Sequence, residues 1–90
     1  MVLSGNPSQS PQQIWEQVLS LLQSDISRVY FETWVKPTVA MSFSDNVFTL
    51  GCHNAYAVDW LESRLKSTLE RILMGLCSQP IQVTFTLLGS

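Results

Sequence analysis

Seven residues, Phe31-Glu32-Thr33-Trp34-Val35-Lys36-Pro37, constrain this chain more than any other stretch. Two aromatic residues three apart share one face of a helix, and the proline stops that helix at once. The expected product is a short, heavily buried helix with a fixed exit. It follows the amphipathic run Ile14–Ile26 and precedes two strand-like segments.

Ninety residues allow one domain. A chain of this size buries a little over ~60% of its unfolded surface, so its stability margin is thin. The composition is 46% hydrophobic and 13% charged, which argues against disorder except at the ends. So few charges leave apolar surface uncovered, and some of it is expected to meet another protein.

Five Lys+Arg against seven Asp+Glu give a net charge of −2, with no basic block. Strong autonomous binding to duplex DNA is excluded on that ground. Of the five cations, Arg28, Lys36, Arg64, Lys66 and Arg71, the last three lie on one predicted helix. They are where a weak contact with single-stranded DNA is expected.

Cys52 and Cys77 have no CxxC spacing, and His53 beside Cys52 is too little for a zinc site. Both cysteines read as reduced core or boundary residues. Neighbours on a strand point to opposite faces, so Cys52 and His53 make a poor nucleophile and base. No GxxxxGK[ST], GxGxxG or HExxH occurs, so no enzyme, cofactor or metal is expected. Met1–Gln13 is polar, and no apolar run approaches the ~20 residues that span a membrane, so a cytoplasmic location is expected.

Residues 1–9, rich in Ser, Asn, Gln and Pro, read as a flexible lead to a folded unit over residues 10–88. Ser10 is an N-cap, Pro11 fits the first helical position, and Gln13 completes a capping box. Helix one runs to about Ser24. Ile14, Val18 and Leu21 form one apolar line. Trp15, Leu19, Leu22 and Ile26 form a second, and together they span about 160°. Either the helix is deeply wedged, or its outer line meets a partner.

A second helix, Ser27–Val35, is capped by Asp25 or Ser27 and ends at Lys36 before Pro37. Val39, Met41 and Phe43 alternate with Ala40 and Ser42 as a strand. Ser44-Asp45-Asn46 turns, and Val47–Cys52 returns as the second strand of a hairpin. One long third helix is expected from about Ala55 to Leu76, with Asn54 as its N-cap. Its stripe is Val58, Leu61, Leu65, Leu69, Ile72 and Leu76. Ile81, Val83, Phe85 and Leu87 alternate with Gln82, Thr84 and Thr86 as a last strand. The order α-α-β-β-α-β gives a two-layer α+β domain, three strands packed against helices.

Three blocks carry a family resemblance. They are Ile14-Trp15-Glu16-Gln17-Val18-Leu19-Ser20-Leu21-Leu22, Phe31-Glu32-Thr33-Trp34-Val35-Lys36-Pro37, and Asn54-Ala55-Tyr56-Ala57-Val58-Asp59-Trp60-Leu61. In this order and spacing they resemble the N-terminal domain of the bacterial replication initiator DnaA, over roughly Gln13 to Leu88. The resemblance implies a fold similar to a KH-type α+β domain. It also implies a role in assembly: initiator self-association, loading of the replicative helicase, and docking of regulatory proteins. A free-standing relative that pairs with a full-length initiator is the other arrangement it allows.

By this likeness Trp15, with Leu19 beside it, is the self-association site. Tyr56 is a helicase contact, and Asn54 is linked to partner docking besides its capping role. Tyr30 stands where some family members carry an acidic helicase contact, a role that Glu32 is a candidate to take over. Phe31, Trp34, Pro37 and Trp60 match as core. KH domains that clamp nucleic acid use a GXXG loop, which this chain lacks, so single-strand binding through Arg64, Lys66 and Arg71 is the weaker alternative.

Overall fold

The computed structural model describes residues 10–88, so the expected lead at residues 1–9 lies outside the described residues. Helix α1 (Pro11–Leu22) starts as its sequence demands. The Ser10 Oγ accepts the Gln13 N–H at 3.2 Å, and the Gln13 side chain accepts the Ser10 N–H at 2.9 Å. Two otherwise orphaned donors are thereby satisfied.

Both apolar lines of α1 turn inward. Ile14, Trp15, Val18 and Leu22 are buried, while Leu21 is left half exposed. The helix is wedged against the first strand and the last helix, which explains an apolar arc too wide for a one-sided helix.

Ser27 caps the next helix, accepting the Tyr30 N–H at 3.3 Å. Helix α2 (Arg28–Tyr30) continues as a π-helical turn over Phe31–Val35. The cause of the widening is local. Pro37 has no N–H to offer the preceding turn. The Lys36 N–H reaches back five residues to the Phe31 carbonyl at 2.9 Å. Lys36 thus keeps helical angles, φ −58° and ψ −39°, where a following proline disfavours them.

Strands β1 (Val39–Ser44) and β2 (Val47–Cys52) form an antiparallel hairpin. Its loop is Asp45-Asn46, with φ of 53° and 62°. Short polar side chains tolerate these left-handed values, which match the twist of the flanking strands. The even alternation expected in β1 fails at a bulge between Ala40 and Ser42. The extra residue, Met41, shifts the inward pair to Ala40 and Phe43 and leaves Val39 and Met41 exposed.

The expected single third helix is two. Helix α3 (Ala55–Arg64) ends at Leu65, with φ −119° and ψ −10°, and α4 (Lys66–Cys77) begins there. The buried row Ala57, Leu61, Leu65, Leu69, Leu73 repeats every fourth residue. On an ideal helix such a row drifts about 40° per step, some 160° over its length. A break in the middle lets the second half aim at the same core.

Strand β3 (Gln82–Leu87) then pairs parallel to β2, with Thr49 opposite Thr84, in the order β1-β2-β3. Glu70 of α4 accepts the Val83 N–H at 3.0 Å, which satisfies an edge donor of β3.

Phe48, Leu50 and Cys52 of the central strand face the helices and are buried. The fold is α+β in two layers, as expected. Gly51 lies on the opposite face. A Cβ there would stand 2.5 Å from Leu88 Cδ2, so a larger residue would push that side chain aside.

Candidate functional site

Three aromatic rings, of Tyr30, Trp34 and Trp60, meet between α2 and α3, and Tyr56 stands one turn before Trp60. Tyr30 and Trp34 are four residues apart on one helix, and Tyr56 and Trp60 four apart on the other. Spacing of four puts each pair on one helix face. The Trp60 ring takes the centre. Trp34 stacks on it at 5.5 Å with 12° between the planes, and Tyr30 leans on it at 5.5 Å and 47°. Trp34 and Trp60 are half-buried, packed against the core, while Tyr30 is 48% exposed and Tyr56 80% exposed. A full, nearly unburied tyrosine ring contributes little to folding. Trp34 and Trp60 pack against the core as expected, and their half-buried rings also form the floor under the exposed Tyr30. The repeated spacing of four was the signal for it.

Asn54 holds this surface from one end. Its Oδ1 accepts the Ala57 N–H at 2.8 Å, which caps α3 and fixes the first turn carrying Tyr56. Asn54→Ala is expected to cost about 1 kcal/mol. In thermal unfolding followed by circular dichroism, that is a midpoint lowered by about 4–8 °C.

Glu32 is not brought to the surface. It lies two residues from both Tyr30 and Trp34, about half a turn away. Arg28 and Lys36 each approach it at 4.0 Å on the far side of the helix. These solvated pairs contribute little stability. The expectation that Glu32 replaces an acid at the Tyr30 position fails on this geometry.

Trp15 also departs from expectation. Its side chain is 1% exposed, and its Nε1–H donates to the Thr38 carbonyl at 3.2 Å. Its ring meets Phe48 at 6.3 Å. The indole is part of the core and offers a second copy no face. Leu19 is half-buried against the same core. What α1 leaves open is Leu21, beside Leu76 of α4 in a shallow groove.

Of the three cations expected to touch single-stranded DNA, Lys66 lines a depression with Asp45 and Glu70. Arg71 lines one with Leu21 and Asp25 and another with Glu70 and Pro80. Acidic side chains thus stand beside both.

Burial pushes the Cys52 and Cys77 thiols up, the neighbouring Thr38 side chain pulling Cys52 the other way. Both thus stay protonated at neutral pH and are weak nucleophiles. Among the described residues, no helix is long and apolar enough to cross a membrane.

The arrangement suits recognition through aromatic contacts, and the comparisons say in which lineage. Residues 12–75 match the DnaA N-terminal domain. The chain belongs to the DnaA N-terminal domain family. It is similar to the chromosomal replication initiator protein DnaA of Deinococcus deserti, 35% identical over 77 residues, 86% of this chain and 17% of that protein. The corresponding protein of a Synechococcus strain is 34% identical over 82% of this chain and 16% of its own length. That of a Picosynechococcus strain is 28% identical over 88% of the chain and 18% of its own length. The chain thus spans less than a fifth of the curated relatives it matches. Within the DnaA N-terminal family match lie α1 but for Pro11, the α2 turn, the hairpin, α3 and most of α4, and therefore all four aromatics of the surface.

Proposed function

We propose that this chain is the protein-interaction module of a bacterial replication initiator. It docks the replicative helicase, or a regulatory protein, on the surface of Tyr30, Trp60 and Tyr56. The observation that carries this is the 80% exposed Tyr56 ring beside a stacked aromatic floor. Rigid aromatic rings supply large contact area at small entropic cost and dominate interface energetics. Tyr30 makes the contact more apolar here than an acidic residue would.

Self-association is retained as a second role of the module. With Trp15 buried, the exposed Leu21 edge of α1 is the face we assign to it. A free-standing regulator that pairs with a full-length initiator would use the same edge. Single-strand DNA binding is the weaker reading, because the chain has no basic block and acidic side chains stand beside Lys66 and Arg71.

A backbone-amide NMR titration with the N-terminal portion of the replicative helicase tests the docking role. Shifts are expected at Tyr30, Asn54, Tyr56 and Trp60. Tyr56→Ala should change stability by less than about 0.5 kcal/mol. It should weaken binding by at least about 2 kcal/mol, roughly thirtyfold, the scale of an interface hot spot. An unperturbed spectrum at high helicase concentration would remove the helicase as the docked partner.

A further inference from the structure

We propose that Thr38 is a positioning residue for the aromatic surface, holding the widened last turn of α2 so that Trp34 stays stacked on Trp60. This rests on the docking reading above and extends it to a residue outside the surface itself.

Thr38 is the one buried polar side chain among the described residues. Every polar group it carries is committed. Its hydroxyl donates to the Trp34 carbonyl at 2.9 Å, and its N–H donates to the Val35 carbonyl at 3.0 Å. Its own carbonyl accepts the Trp15 indole N–H at 3.2 Å.

In an unbroken helix the N–H of residue 38 would reach the Trp34 carbonyl. The widened turn before Pro37 sends that N–H to Val35 instead, leaving the Trp34 carbonyl without a backbone donor. A half-buried carbonyl without a partner is costly, and the chain there would shift to find one. The Thr38 hydroxyl supplies that partner. Trp34 is thus fixed through its own backbone, and Thr38 through the buried Trp15. The surface at one end of the domain is anchored on the core helix α1.

Thr38→Val keeps the branched shape and removes only the hydroxyl, whereas Thr38→Ser keeps the hydroxyl. The readout is nuclear Overhauser contacts in the free domain, taken at 5 °C. Contacts between the Trp34 and Trp60 rings are expected in the parent chain and in T38S, and should be lost or halved in T38V. Those between Trp15 and Phe48 should persist in all three. In the helicase titration T38V should bind about three- to tenfold more weakly, the scale of one hydrogen bond. Unchanged Trp34–Trp60 contacts in T38V would overturn the proposal. So would loss of the Trp15–Phe48 contacts as well, because Thr38 would then hold the whole core and not this surface. Intact ring contacts in the parent chain with no helicase binding would sink the helicase-docking reading and leave the Thr38 role standing.

Discussion

Trp15→Ala is expected to cost about 3–5 kcal/mol, the scale for deleting a large buried aromatic. The indole is almost wholly enclosed, lies against Phe48, and gives its N–H to Thr38. Truncation opens a cavity and strips the Thr38 carbonyl of its donor. A domain of this size is stable by only about 5–15 kcal/mol, so the variant stands near its unfolding point. Thermal unfolding should show a midpoint lowered by at least about 12 °C. Trp15→Phe refills most of the cavity and loses only the N–H, so it should cost clearly less. The pair separates two roles for this residue. A Trp15→Ala variant as stable as the parent, yet no longer self-associating in sedimentation, would restore the indole as an interface.

Phe48→Ala should have an effect of the same size, again about 3–5 kcal/mol by urea unfolding. Phe48 sits in the central strand with Trp15 at 6.3 Å on one side and Phe43 at 5.4 Å on the other. The strand is paired on both edges, so its backbone cannot easily shift to close the cavity. The two aromatics should also be coupled. A cycle of Trp15→Phe, Phe48→Leu and the double variant keeps every member folded. It should give an interaction energy of about 0.5–1.5 kcal/mol, as expected for aromatic rings in contact. Additivity within about 0.3 kcal/mol would mean that the rings contribute independently.

The elements that local chemistry decides were legible in the sequence. The Ser10–Gln13 capping box, the Asn54 cap, the Asp45-Asn46 turn and the burial of Ile81 and Val83 appear as read, whereas Leu87, expected on the same buried face, is exposed. What was not legible depends on packing partners distant in sequence. Trp15 and Leu21 lie on opposite sides of one broad apolar arc, and nothing local says which meets solvent. The bulge at Met41 and the break at Leu65 arise because a strand and a helix must fit a common core. The π-helical turn could be half read: Pro37 announces an ending, but the chain's way of satisfying its carbonyls needs Thr38. The candidate surface was read in part, through Tyr30 and Tyr56. Its floor was missed because Trp34 and Trp60 look like core residues until two separate helices are brought together.

The parallel pairing of β2 with β3 has a consequence for how the chain is made. Thr49 and Thr84 bond across the sheet, 35 positions apart, with α3 and α4 between them. The hairpin, by contrast, closes over two residues. On a ribosome the hairpin and α1 emerge early, but Phe48 and Leu50 lack their neighbour strand until Val83 and Phe85 have been added. Closing so long a loop costs more chain entropy than the hairpin does, so β3 is expected to dock last. Until then the central strand presents an open edge and a half-covered aromatic core, the kind of surface that holdase chaperones capture. Docking of the final six-residue strand is expected to close that surface.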